Sequence, residues 1–180
     1  MINRKIFFVF TFVFSCFQTF SQERFEINST LWEFELPENF VRNDVVESSE
    51  FEGDSAFFLE VSKPNSPEMN IMSVTTYSNF NLKSMTAGVY ANSLLNSMKN
   101  NFRNENLEAD VYLDKIEIDG VSFFVIHSDV LDPHNEERFM ASVYIAEIDD
   151  REFNLMILYD NDEDGFALEN TLLNSKFIQP

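Results

Sequence analysis

The segment from Asp160 to Gly165 has the residue types and spacing of a calcium-binding loop. Its sequence, Asp-Asn-Asp-Glu-Asp-Gly, places carboxylates at alternate positions, where they point inward to a cation, and ends in the glycine that makes the sharp turn. The bidentate glutamate expected at the loop's last position is Thr171 instead, so Glu169 or a residue from elsewhere must complete the site. We therefore predict calcium as the candidate cofactor, with three aspartates as its ligands: Asp160, Asp162 and Asp164.

The same segment also has a structural interpretation. The apolar residues that follow it predict a final helix over about Asp164 to Asn174. Acidic residues at a helix start interact favourably with the positive end of its dipole and cap its amides, and Asp and Gly form turns in any case. Calcium binding and helix capping are both hypotheses for this loop, and apart from calcium we expect no cofactor.

Hydrolytic chemistry has one candidate pair in the sequence. His134 lies in a Pro-containing loop two residues after Asp132, which makes these two the nearest His–Asp pair. A zinc ion at His134 would need carboxylate ligands such as Asp132, Asp129 and Glu136. The other histidine, His127, lies inside an apolar strand, where we expect a hydrogen-bonded or solvated residue of the sheet. A catalytic base needs an oriented partner and a pocket, and the sequence shows neither. We assign no catalytic residue, and a carboxylate- or His-dependent hydrolase is kept as an alternative only.

Composition argues against several other classes of site. Four glycines in the whole chain exclude most Gly-rich phosphate loops, and no nucleophile elbow or paired-histidine metal helix is present. The net charge of −19 repels phosphate backbones and anionic lipid headgroups, so we expect no binding to nucleic acid. Cations and basic protein surfaces remain as partners, although such a charge can also serve only to keep a secreted domain soluble.

The start of the chain has the features of an export signal. Arg4 and Lys5 precede an apolar run, Ile6 to Phe14, that is too short to span a bilayer. Small residues then precede a cleavage point after Ser21. We therefore predict a signal peptide at residues 1–21 and a secreted or periplasmic protein.

The alternative for this leader is a weak lipobox ending at Cys16, which would be lipidated and anchor the protein as a lipoprotein. Cleavage after Ser21 instead removes this only cysteine, so the mature chain has no disulfide and no thiolate ligand. It also removes two basic residues and no acidic one, which brings the net charge to −21. No other segment is expected to span a membrane.

One long segment, Ala87 to Phe102, has the apolar spacing of a helix. Its apolar residues fall on one face about 100° wide. Gly88 costs up to about 1 kcal/mol in a helix interior relative to alanine, which suggests close packing there. The residues of the apolar face are Ala87, Ala91, Leu94, Leu95, Met98 and Phe102.

Strand patterns lie on both sides of this helix. Thr30 to Leu36 alternates with a period of two, which places Trp32 in the core. Several later segments are apolar on both faces and so need cover above and below the sheet. Turn signals at Glu52-Gly53-Asp54, Asp119-Gly120 and Asp149-Asp150 predict hairpins. The predicted strands are Val45–Phe51, Ala56–Val61, Asn70–Tyr77, Glu108–Ile118, Val121–Val130, Met140–Ile148 and Phe153–Tyr159.

These elements predict an α+β fold, a single-domain α/β/α sandwich with a mostly antiparallel sheet. The central helix covers one face of the sheet, and the N-terminal segment or the final helix covers the other. No linker, repeat or low-complexity segment divides residues 22–180, so we expect one domain.

The order of the parts resembles the PsbP-like superfamily. Leu36-Pro37-Glu38-Asn39-Phe40 matches a strand ending in Leu-Pro-x-x-aromatic, and Ile116 to Phe124 matches Ile-x-Ile-Asp-Gly followed by an aromatic strand. The final helix then ends near Ser175-Lys176-Phe177. The superfamily includes the extrinsic photosystem II subunit, a Ran-binding nuclear import factor and many bacterial envelope proteins. The resemblance implies a non-enzymatic binding or accessory domain and supplies no functional residue.

The leading functional hypothesis is therefore an exported, non-catalytic binding or accessory domain that acts through protein contacts. We expect a monomer with an unknown protein partner that presents a basic surface. Exposed aromatic residues such as Tyr77 and Tyr90 are the contact surfaces that the sequence suggests. A calcium-binding extracellular module and a hydrolase are the two alternatives.

Overall fold

A computed structural model of the chain describes residues 22–43, 57–64, 69–77, 86–134 and 136–180. The predicted signal peptide and Cys16 lie outside these residues. So does the predicted strand Val45–Phe51 with the turn at Glu52-Gly53-Asp54.

Ten strands and two helices make up the described part of the chain. The strands are β1 Gln22–Ile27, β2 Thr30–Glu35, β3 Val41–Asn43, β4 Phe57–Ser62, β5 Ile71–Tyr77, β6 Glu108–Ile118, β7 Val121–Asp132, β8 Glu137–Ile148, β9 Arg151–Tyr159 and β10 Lys176–Ile178. The helices are α1 Ala87–Asn104 and α2 Asp162–Leu173. No helix in this part of the chain combines the length and hydropathy needed to cross a lipid bilayer.

Seven strands form one large sheet in the order β3-β4-β5-β9-β8-β7-β6, and every neighbouring pair is antiparallel. The hairpin turns predicted at Asp119-Gly120 and Asp149-Asp150 are confirmed. Asp119 and Gly120 have φ values of 48° and 82°, and Asp149 and Asp150 have 53° and 60°. Both central residues of each turn thus take the left-handed conformation that suits the twist of a two-residue hairpin.

Helix α1 covers one face of the large sheet at β6, β7 and β8. Thr86 caps its first turn, and Ala91 is fully buried against a cluster that includes Ile126 and Ile145. The predicted apolar face of the helix lies in this cluster. The close packing expected at Gly88 is also confirmed, because a Cβ there would lie 2.8 Å from Cζ of Phe124.

The opposite face of the sheet is covered by α2 together with a small sheet of order β1-β2-β10. Trp32 on β2 is fully buried and stacks on Phe34, with ring centroids 4.2 Å apart. Phe177 on β10 pairs with Trp32 and donates its backbone N–H to Asp119 Oδ2 at 2.8 Å. The N-terminal strands and the final helix thus share the second layer, and the predicted α/β/α sandwich is confirmed. Strands β1, β3 and β10 were not predicted.

Candidate functional site

A row of polar side chains crosses the large sheet on the face that α2 partly covers. Tyr112, His127 and Ser142 are neighbours across β6, β7 and β8. Their side chains share one face because opposite residues in an antiparallel ladder project to the same side. Glu169 of α2 closes the row, since Ser142 Oγ donates a hydrogen bond to Glu169 Oε1 at 3.3 Å.

Hydrogen bonds link the polar side chains of this row. Ser142 Oγ donates to Glu169. His127 Nδ1 lies 3.1 Å from Ser142 Oγ, and its role as donor or acceptor depends on the tautomer of the ring. A serine nucleophile needs a different arrangement, in which the histidine removes the serine proton. Ser142 is also only 3% exposed. The row is therefore a positioning network for the side chains around it and does not form a Ser–His–acid triad.

Two tyrosines beside this row have raised pKa values. Burial is the main cause for Tyr144, and the negative charge of Glu169 adds to it. Burial also raises the pKa of Tyr159, followed by the charges of Glu169 and then Asp162 and Asp129. Both phenols stay neutral at physiological pH. The negative potential that raises their pKa values attracts a cation brought to this face.

Asp129 itself is paired with Arg138. The guanidinium Nε donates to Asp129 Oδ1 at 2.7 Å, and Nη2 contacts Oδ2, so the pair is bidentate. These hydrogen bonds lower the pKa of the Asp129 carboxyl. Both side chains are largely solvated, so the ion pair adds little to the stability of the fold. Its bidentate geometry holds the Asp129 carboxylate in one orientation.

The apolar part of this surface comes from β6 and α2. Tyr112 is 53% exposed, and its ring is tilted by 31° over that of His127 at a centroid distance of 5.0 Å. Phe166 is 70% exposed and Leu173 is also exposed. Glu169 lies three residues after Phe166 and four before Leu173, so the three share one stripe of the helix. We call the set Tyr112, His127, Phe166, Glu169 and Leu173 the aromatic–acidic surface.

Gly165 fixes the height of α2 above the sheet. A Cβ at this position would lie 2.3 Å from Cδ2 of Tyr159, so the helix packs with its backbone directly on the tyrosine ring. This close approach brings Glu169, one turn later, within hydrogen-bonding distance of Ser142. The sequence pattern suggests a calcium loop at Gly165 and does not predict this packing role.

The predicted calcium ligands have other partners in the structure. Asp160 Oδ1 accepts a hydrogen bond from Asn70 Nδ2 at 2.9 Å, and Asp164 pairs with Lys63 Nζ. Asn161 is the N-cap of α2 and accepts from the backbone N–H of Asp164 at 2.9 Å. Asp162 is exposed in the first turn.

In the described part of the chain, no three His, Cys, Asp or Glu side chains are placed to hold one metal ion. These contacts fit the helix-cap interpretation of the Asp160 to Gly165 loop. Calcium binding stays the alternative hypothesis for this loop.

The predicted His–Asp pair also takes a structural form. Asp132 Oδ1 accepts from the backbone N–H of His134 at 2.8 Å, as in a side-chain turn. Asp132 ends β7, and His134 lies exposed in the turn that follows. The contact therefore shapes the loop and does not orient the imidazole.

Sequence reasoning missed the role of His127, Ser142 and Glu169. The alternation of β7 and β8 places His127 and Ser142 on one face, but no pattern indicates that Glu169 of a later helix reaches them. Tyr90, suggested as an exposed aromatic, is half-buried in the cluster under α1, so that expectation is wrong. The side chain of Tyr77 lies outside the described residues.

No protein-family model matches the sequence, and none of the curated proteins is significantly similar to it. Among solved structures, cyanobacterial PsbP (CyanoP) from Synechocystis sp. PCC 6803 superimposes with a TM-score of 0.53 at 16% sequence identity. The match covers 89% of this chain and 93% of that one. The chain has a PsbP-like fold.

Two further structures match at lower scores. A Pseudomonas aeruginosa protein of unknown function, PA94, has a TM-score of 0.45 at 10% identity, over 88% of this chain and 96% of its own. LpqN of Mycobacterium tuberculosis, a protein involved in cell envelope biogenesis, has a TM-score of 0.46 at 9% identity, over 90% and 92%. The similarity to CyanoP concerns the fold alone.

Proposed function

We propose that this PsbP-like chain is an exported, non-catalytic accessory domain that binds a protein partner through the aromatic–acidic surface. One observation supports this most directly. Tyr112 and Phe166 expose large aromatic areas beside carboxylates that are already ordered, whereas most large apolar side chains of the described residues are buried. Aromatic residues exposed in this way favour protein contacts.

The charge of the surface defines the partner. Glu169 is held by Ser142, and Asp162 and Asp129 lie close enough to raise the pKa of Tyr159. A lysine or arginine of a partner can pair with these carboxylates, and its cation can stack on the ring of Tyr112. A basic and apolar protein surface therefore fits this site, in agreement with the charge of the whole chain.

The geometry does not support the hydrolase alternative. In the network of His127, Ser142 and Glu169 the serine donates its proton to Glu169, and the serine is buried. The candidate pair at Asp132 and His134 is a backbone turn. A catalytic histidine needs an oriented imidazole beside a nucleophile that it can deprotonate, and neither contact supplies this arrangement.

Site-specific crosslinking in the native envelope tests the proposal. A photoreactive amino acid replaces Phe166 in one variant and Tyr112 in another, and Val89, which is exposed on α1, serves as the matched control. We expect the variants at 166 and 112 to crosslink to the same polypeptide and the variant at 89 to give none. Equal crosslinking from all three positions, or none from 166 and 112, would refute the proposed surface.

A further inference from the structure

Strand β6 is the last strand at one end of the large sheet formed by the described residues. One of its edges pairs with β7, and the described part of the chain supplies no further strand beyond it. Ile118 and Val121 flank the two-residue turn and form a hydrogen-bonded pair. Because such pairs alternate along an antiparallel ladder, the even-numbered residues of β6 bond to β7. The backbone N–H and C=O groups of its odd-numbered residues point away from β7. These residues include Ala109, Val111 and Leu113.

A cavity of about 340 Å³ lies at the beginning of this edge. The last turns of α1 form one wall and the first residues of β6 form the other. Its lining combines apolar side chains with two cations, and Asp110 lies at the same opening. The lining residues are Lys99, Phe102, Arg103, Leu107, Ala109, Asp110 and Val111.

Lys99 and Arg103 stand out in a chain of net charge −19. They are four residues apart on α1, so they lie on the same side of the helix. Ion pairs in the described residues involve other cations, and neither Lys99 nor Arg103 forms one there. Arg103 lies in the last turn, where it also favours the helix dipole, but Lys99 is a full turn earlier.

We propose that β6 accepts the carboxyl-terminal segment of a partner polypeptide as an added strand, with the terminal carboxylate bound by Lys99 and Arg103. The exposed backbone of β6 supplies ladder hydrogen bonds, and the cavity beside Phe102 and Val111 receives an apolar terminal side chain. The cavity lies between the end of α1 and the beginning of β6, so a strand that runs antiparallel to β6 places its carboxyl end there. The two cations select a carboxyl end over an amino end.

A second copy of this chain is a poor occupant of the edge. β6 carries one basic residue, Lys115, against several acidic ones, and pairing two such strands would bring like charges together. The acidic residues are Glu108, Asp110, Asp114 and Glu117. The site is separate from the aromatic–acidic surface and does not depend on it.

Fluorescence polarisation with a defined peptide tests the proposal. The probe is a dye-labelled heptapeptide of alternating threonine and valine that ends in valine, prepared with a free carboxylate and as the terminal amide. We expect the carboxylate form to bind the mature protein at least about tenfold more tightly than the amide. Combining Lys99→Gln with Arg103→Gln should reduce this difference to within about twofold. The control Lys115→Gln, on β6 itself, should leave it unchanged.

Methylation of alternate peptide nitrogens tests the strand pairing. Methyl groups on the amides that face β6 should abolish binding, whereas methyl groups on the opposite edge should not. Equal binding of the carboxylate and the amide, or no binding of either at millimolar peptide, would overturn the proposal. So would loss of binding in Lys115→Gln to the same extent as in the double variant.

Discussion

The buried carboxyl of Glu152 allows a quantitative test of the structure. Glu152 lies near the start of β9 and is 1% exposed. One carboxylate oxygen accepts a hydrogen bond from Asn154 Nδ2, and the other has no hydrogen-bond partner in the described part of the chain. Burial raises the pKa of Glu152 from its ordinary value of 4.5 to about 7, and the bond from Asn154 opposes this rise.

The raised pKa sets the sign of the effect on stability. The folded state binds the Glu152 proton more tightly than the unfolded state, so stability falls as the pH rises from about 4.5 to about 7. One pKa unit corresponds to about 1.36 kcal/mol, which gives at most about 3 kcal/mol for the whole interval. Solvent relaxation around a carboxyl near a strand end reduces this, and we expect about 1–2 kcal/mol.

Glu152→Gln should therefore stabilise the protein above pH 7 and have little effect near pH 4.5. The assay is urea unfolding at pH 4.5 and pH 8, where an increase of about 1–2 kcal/mol is expected at pH 8 alone. Glu147→Gln is the matched control, because Glu147 is the cross-strand partner of Glu152 on β8 and is exposed. The control removes the same charge from the same region of an acidic chain.

Comparing the free energies of unfolding of the two variants at pH 8 separates the effect of burying the Glu152 carboxylate from the effect of lowering the net negative charge. If Glu147→Gln and Glu152→Gln stabilise the protein equally at pH 8, the effect comes from the net charge and the burial argument is refuted. A destabilising effect of Glu152→Gln at both pH values would show that the carboxylate makes a required hydrogen bond.

Three further predictions concern close packing, a turn and the acidic loop. Gly165→Ala should lower stability by about 1–3 kcal/mol and by more than Gly88→Ala, because its new Cβ meets the ring of Tyr159 near its base rather than the tip of a ring. Asp149→Asn should lower stability above about pH 4. Hydrogen bonds from Thr30 and Ser29 to the Asp149 carboxylate hold its pKa below its usual value. The stability that these bonds contribute is lost as the pH falls through the lowered pKa. Millimolar calcium should give no rise in melting temperature beyond that of magnesium, because both oxygens of Asp164 already accept bonds from Lys63 and Asn161.

Thermal melts and chemical denaturation check all three. Equal destabilisation by the two glycine variants would contradict the packing argument. An Asp149→Asn variant whose stability differs from the parent by the same amount at pH 3 and pH 7 would show that the carboxylate charge is not involved. A calcium-selective rise of several degrees would show that the acidic loop rearranges to bind the ion, as the sequence pattern predicts.

The fold follows closely from local patterns, and the reasons are visible in particular elements. The apolar face of α1 repeats over more than four turns, and Asp119-Gly120 is a strong hairpin signal, so the strands on both sides are well bounded. Strands β3 and β10 contain three residues each and so carry almost no periodic signal. They form because longer neighbours, β4 and β2, offer an edge to pair with.

The candidate site could not be predicted in the same way. Ser142 and Glu169 are separated by 27 residues and meet only because Gly165 lets α2 pack on Tyr159. A sequence pattern reports spacing within an element, whereas this contact depends on the height and angle of a helix over a sheet. In the acidic loop from Asp160 to Gly165, the sequence pattern suggests a set of calcium ligands. In the structure, Lys63 and Asn70 from other parts of the chain contact Asp164 and Asp160 instead.

Strand β6 connects the two proposed interaction sites. Tyr112 projects to the face that carries α2, and its neighbours Val111 and Leu113 pack in the cluster under α1. The period of two in a strand thus allows adjacent residues to serve separate surfaces of opposite local charge. The aromatic–acidic surface and the cavity beside Lys99 and Arg103 share the strand but no side chain. Substitutions at Phe166 and at Lys99 should therefore act independently on the ligands of the two sites.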